Sequence, residues 1–184
     1  MARLILINGA PGSGKSTLAR RFADEHPLTL ALDIDVIRAM LGGWLDQPVE
    51  AGLIARRMAL QMARLQLGDG RDVLVPQFLG RVDFVLELED LCRQIGADFV
   101  EVALLSTRQD AADRFLRRST QPGKAEHFDA QALLERSGGP GELPAMYDRL
   151  LSVIARRPLT GTVVTVDGQV DQAYADLLAV LGEA

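Results

Sequence analysis

Only one of the 184 residues is a cysteine, Cys92, so no internal disulfide can form and the core must be held by packing alone. No apolar run approaches the ~18 residues of a membrane span. Met1-Ala2-Arg3 leads into only four apolar residues before Asn8-Gly9, too few for the apolar region of a secretory signal. A cytoplasmic chain with no membrane partner is therefore expected. Basic charge is in short supply: 20 Lys and Arg against 25 Asp and Glu give a net charge of −5. That balance disfavours non-specific attraction to nucleic acid, while leaving room for a local basic patch. Internal repeats, low-complexity tracts and long linkers are missing as well. What is present is a composition of 48% hydrophobic and 24% charged residues, that of a soluble globular protein. At ~150 residues per domain, residues 1–184 make one domain, which buries roughly 70% of the surface of its unfolded chain.

Short apolar runs alternate with helical patterns. Leu4-Ile5-Leu6-Ile7 is continuously apolar, as expected of a strand buried on both faces of a parallel sheet. Similar runs, rich in Val, Ile or Leu, lie at residues 28–32, 73–75, 99–105 and 162–166. Helical spacing of apolar residues marks 15–25, 50–67, 82–95 and 170–181. In the second of these, Ile54, Met58, Met62 and Leu65 form the stripe expected to face the core, and Cys92 is expected to pack within the third. The alternation predicts a doubly wound α/β sheet of five parallel strands with helices on both faces and right-handed crossovers. Ligands of such a sheet bind at the carboxyl ends of its strands. Residues 107–158 break the rhythm with several helices and a Gly138-Gly139-Pro140-Gly141 interruption; they read as a helical insertion over the site.

Gly9-Ala10-Pro11-Gly12-Ser13-Gly14-Lys15-Ser16, followed by Thr17, fits the phosphate-loop pattern G-x-x-x-x-G-K-[ST] between a strand and a helix. The glycines let backbone N–H groups turn inward around phosphate oxygens. The helix N-terminus and Lys15 supply positive charge, and the Ser16 hydroxyl can ligate Mg²⁺. A nucleotide switch or motor would add an acid at the end of an apolar strand, but the third strand here ends Val75-Pro76-Gln77. Its place must be taken by Asp33, Asp35 or water.

After the second strand, Asp33-Ile34-Asp35-Val36-Ile37-Arg38 brings two carboxylates and an arginine to the site's edge. In extended backbone, residues two apart point the same way, so both acids can face the phosphates. One can take the proton of an attacking hydroxyl, while Arg38 holds the acceptor in line. Asp33 serves equally well as a Mg²⁺ ligand, and the blander alternative has Asp35 capping a helix with Arg38 paired to it on the surface.

The phosphate loop followed by Asp35-x-x-Arg38 resembles the 5′-hydroxyl kinase domain of polynucleotide kinase and its relatives, among them chloramphenicol phosphotransferase and zeta-toxin-like kinases. The resemblance is specific over residues 3–38 and looser to about 124. It implies a P-loop kinase-like three-layer sandwich, ATP and Mg²⁺ as cofactors, Asp35 as general base and Arg38 in contact with the acceptor. It also implies a helical lid, at about residues 107–142, whose Arg114 and Arg118 clamp the transferring phosphate. The Asp-Thr pair that polynucleotide kinases carry near the acceptor is replaced by Pro76-Gln77, which together with the net charge favours a small-molecule hydroxyl acceptor over a nucleic-acid end.

Five basic residues against Asp110 and Asp113 give residues 107–124 a local charge of +3. Arg114 and Arg118, four apart, share a helix face, and Arg117 is the neighbour set aside. Breaks at 119–123 would let the segment hinge. Gln77 and Arg81 fall in the layer for acceptor contacts; Trp44 is expected to anchor the core or a hinge or else to line the acceptor pocket, His26 to be structural, and His127, in the lid, to be structural or solvated with contact to substrate as the alternative.

Overall fold

The computed structural model describes residues 1–107, 109–111, 113, 114, 117 and 139–183. Five parallel strands, β1 (Arg3–Gly9), β2 (Leu30–Ala31), β3 (Val73–Pro76), β4 (Asp98–Leu105) and β5 (Gly161–Val164), lie in the order β2-β3-β1-β4-β5. Helices α1 (Lys15–Glu25), α2 (Ile34–Ala39), α3 (Pro48–Gly68), α4 (Asp83–Ile95), α5 (Leu143–Ala155) and α6 (Val170–Leu181) connect or follow them. The sheet is built outward from β1 in both directions, so its carboxyl edge has a switch point beside β1, where the phosphate loop begins.

The two faces of β1 explain its unbroken apolar run. Leu4 and Leu6 enter a core with α3 and α4, and Ile5 and Ile7 enter a second core with α1 and α6. All four are fully buried.

Two expectations need correction. Sequence periodicity placed Ile54, Met58, Met62 and Leu65 in the core, but α3 buries Ala51, Ala55, Ala59, Ala63 and Leu67 instead. Met58 and Met62 are each 41% exposed and Leu65 is 70% exposed. Both stripes have helical spacing; the alanine face wins because a row without bulk brings the helix backbone close to the sheet and to its neighbouring helices. The second strand is also shorter than residues 28–32. Leu28 sits at φ 66° and is exposed, while Leu32 leaves the ladder as the chain turns into α2, although its N–H still reaches the Leu74 carbonyl at 2.7 Å.

Cys92 packs in α4, and burial pushes its thiol up to about 11, so it stays a protonated hydrophobe at neutral pH. His26 stacks on Phe22 and faces Glu183. Among the described residues no helix is long and apolar enough to cross a membrane.

A buried charge cluster ties α4, β4 and the end of α5 together. Arg157 pairs with Glu101, on β4, and with Glu89 at 3.1 Å, and lies over the Phe99 ring. The Glu101 side chain is only 4% exposed. Arg157→Met should therefore strand a buried carboxylate and destabilise the chain by about 3–5 kcal/mol, whereas Arg157→Met combined with Glu101→Leu should recover most of that loss. Urea unfolding of the single and double variants measures both.

Candidate active site

β1 delivers Gly9 to the carboxyl edge of the sheet and α1 begins at Lys15. A Cβ at Gly9 would come within 2.5 Å of Ser13 Oγ and 3.1 Å of the Leu104 carbonyl, so only glycine lets the loop fold back against β4. Gly12 and Gly14 adopt φ of 85° and 96°, and a turn closes from Ser13 N–H to the Ala10 carbonyl at 3.1 Å. Gly14 is the cap residue of α1 and no side chain caps the helix, so its first N–H groups face the loop's hollow. Ser13 Oγ is buried without a protein partner among the described residues. Open space beside Gly14, the positive N-terminal end of α1 and Lys15 together fit an anionic phosphate chain. Lys15 Nζ reaches back to the Ala10 carbonyl at 2.9 Å, and Thr17 is exposed on the first turn of α1.

The two acids have separate settings. Asp33 is the N-cap of α2: its Oδ1 accepts from the Asp35 N–H at 3.0 Å and its Oδ2 from Ser16 Oγ at 2.9 Å. A hydroxyl and a carboxylate side by side at the phosphate loop suit a magnesium ion that takes its remaining ligands from phosphate and water. Among the described residues there is no cluster of three or more His, Cys, Asp or Glu side chains to hold a metal by themselves.

The expectation that Asp33 and Asp35 point alike in extended backbone is corrected, because Asp35 already belongs to the first turn of α2. The capping alternative is corrected too, since Asp33 is the cap. Asp35 turns toward the end of β3. Its Oδ1 lies 3.0 Å from Arg38 Nη1 and at a long 3.5 Å from Gln77 Nε2, and the residue's side chain is 46% exposed. Arg38, only 9% exposed, lies over the ring of Trp44 at 4.8 Å. Arg38, expected to hold the acceptor, instead stands buried behind the carboxylate against an aromatic wall. Arg81 is exposed.

On the opposite flank, beyond β4 and β5, a cavity of about 450 Å³ is lined by Asp110, Asp113, Arg114, Arg117 and Asp167. Arg114 is buried, its Nη2 3.3 Å from Thr165 Oγ1. Arg117 pairs with Asp167 at 2.6 Å, and that hydrogen-bonded guanidinium holds the Asp167 carboxyl below the usual range. Ala111 packs with Ala10, Tyr147 and Leu150, which joins this helical segment and α5 to the phosphate loop. The Tyr147 hydroxyl donates to the Ser106 carbonyl. Arg118, His127 and the 119–123 break lie outside the described residues, as does most of the expected lid.

Sequence reasoning missed Asn8, Tyr147, Thr165 and Asp167. Asn8 had a signal, a lone amide ending an otherwise apolar buried strand. Asp167 had a weaker one in Asp167-Gly168 after the last strand.

A family model described as AAA domain (AAA_33) matches residues 4–136. An uncharacterized protein of Mycobacterium tuberculosis and its counterpart in Mycobacterium bovis are each 32% identical over 149 residues, which is 73% of this chain and 29% of theirs. The chain thus spans less than a third of the length of these relatives. Among solved structures, a candidate kinase of Chloroflexus aurantiacus superposes with a TM-score of 0.72 at 20% identity, over 100% of this chain and 98% of that one. The tunicamycin resistance protein of Deinococcus radiodurans gives 0.64 at 16% identity, with coverage of 100% and 98%. A gluconokinase of Sinorhizobium meliloti gives 0.59 at 16%, with coverage of 97% and 90%. At such identities the likeness is one of fold. A phosphate loop at the switch point of a β2-β3-β1-β4-β5 parallel sheet and a family match over residues 4–136 lead to one conclusion: this chain belongs to the AAA domain family AAA_33 and has a P-loop kinase-like fold.

Proposed function

We propose that the protein is a Mg²⁺-dependent kinase that moves the γ-phosphoryl group of ATP to a hydroxyl of a small molecule. The observation that carries this reading is the Asp35 carboxylate, open to solvent, backed by Arg38 and beside Gln77, on the β3 flank of the phosphate loop. A hydroxyl acceptor entering there meets a base on one side and the phosphate loop on the other. The opposite flank, with its 450 Å³ cavity, leaves room for the nucleoside end of ATP.

In this reading Lys15 and the backbone N–H groups where the loop runs into the N-terminus of α1 hold the phosphates, and Ser16 with Asp33 would hold Mg²⁺. Bound there, the metal would neutralise charge on the β and γ phosphates. Asp35 takes the acceptor proton, and Arg38 keeps that carboxylate aimed. Arg114, with Arg118 as the resemblance to hydroxyl kinases implies, meets the charge spreading on the transferred group.

The test is acceptor-dependent ADP release across a panel of sugars and sugar acids, nucleosides, hydroxylated antibiotics and a 5′-hydroxyl oligonucleotide. Gluconate and tunicamycin belong in it because proteins of the same fold act on, or confer resistance to, those compounds. Release with one small molecule supports the reading. Release with the oligonucleotide alone replaces the acceptor class, and slow release indifferent to every acceptor makes the chain a nucleotide-hydrolysing or regulatory module.

A further inference from the structure

The β1–β3 ladder ends where Gln77 N–H reaches the Ile7 carbonyl at 3.1 Å. Beyond that point a side chain takes over. Asn8 is fully buried, and its carboxamide makes three hydrogen bonds, all to backbone. Its Oδ1 accepts from the Leu79 N–H at 2.9 Å and from the Gly9 N–H at 2.8 Å, and its Nδ2 donates to the Leu79 carbonyl at 3.2 Å. A primary amide meets both polar groups of Leu79 as a neighbouring strand would. Aspartate lacks the donor, serine is too short, and leucine has neither function.

Gly9 opens the phosphate loop, and Leu79 lies two residues past Gln77, whose side chain faces Asp35. We propose that Asn8 is a positioning residue for phosphoryl transfer. It bridges the phosphate loop to the 77–79 segment and so sets the distance between bound phosphate and the Asp35–Gln77 side. The inference rests on the reading above of that side as the acceptor's. Reacting groups must be held in near-attack geometry, and a displacement of about 1 Å costs on the order of 10²-fold in rate.

The test is Asn8→Asp, followed in rate, nucleotide affinity and amide NMR. In its neutral form the introduced carboxyl offers a carbonyl oxygen and an O–H, the same pattern as the amide. In its charged form it has no donor and repels the Leu79 carbonyl. Burial raises the pKa of such a group, so kcat should fall on the order of 10²-fold near pH 8 and recover toward wild type near pH 6, with nucleotide affinity little changed. Asn8→Ser, which loses the reach to Leu79 without adding charge, should show the rate loss with no recovery at low pH.

In the wild type, added MgADP should shift the amide signals of both Gly9 and Leu79; in either variant only Gly9 should respond. The bridge is refuted by a Leu79 amide silent in the wild type, or by a folded Asn8→Asp variant with wild-type kcat and pH profile. Parallel losses of kcat, nucleotide affinity and unfolding temperature at every pH would reduce Asn8 to a fold-holding role and refute it equally. Because the amide responses need nucleotide alone, they judge the bridge even where no acceptor is phosphorylated. Failure of the kinase reading is thereby told apart from failure of this one.

Discussion

Asp35→Asn is expected to lower acceptor phosphorylation by about 10²- to 10⁴-fold, the contribution typical of a general base. Nucleotide binding should barely move, while thermal unfolding should fall modestly, because the buried Arg38 guanidinium then faces a neutral amide. Asparagine keeps the size of the side chain and an oxygen for Arg38 but cannot take a proton. The cap of α2 belongs to Asp33, so the helix start is untouched by the change. Asp33→Asn is the contrasting variant. It too can cap, but it removes negative charge beside Ser16 Oγ, 2.9 Å away, and should raise the Mg²⁺ requirement, with excess Mg²⁺ restoring part of the rate. ADP release by each variant across a Mg²⁺ titration, with thermal unfolding as the control for fold, separates the two roles. A fully active Asp35→Asn enzyme would hand the base to Asp33 or to no residue at all.

Lys15→Ala should abolish transfer and weaken nucleotide binding by roughly 10- to 150-fold, corresponding to the ~1.5–3 kcal/mol of a hydrogen bond to a charged group. The fold should survive. Gly12 and Gly14 at positive φ and the turn from Ser13 to Ala10 shape the loop, and the contact from Lys15 Nζ to the Ala10 carbonyl only rests upon it. Calorimetric titration with a non-hydrolysable ATP analogue measures the affinity and circular dichroism the fold. Undiminished turnover would remove the phosphate-loop assignment.

Much of the site follows from the order of residues along the chain. A buried β1, a glycine loop and α1 are contiguous, and their chemistry depends on backbone shape within eight residues, Gly9 to Ser16. Five parallel strands were legible for a related reason, since strands covered on both faces read as unbroken apolar runs. What joins distant segments was not legible. The Met58 and Met62 stripe and the alanine stripe of α3 share one period, and only packing against the sheet chose between them. Asp33 and Asp35 looked equivalent until α2 was seen to begin between them, which made one a cap beside Ser16 and turned the other toward Arg38 and Gln77. Asn8 joins Leu79 across 71 positions, and Arg117 joins Asp167 across 50. Local sequence thus determined the phosphate loop and the layers around it, because those depend on short-range backbone geometry and on burial. Which side chains face each other across that loop depends on how the strands are ordered in the sheet, and that only the tertiary structure decided.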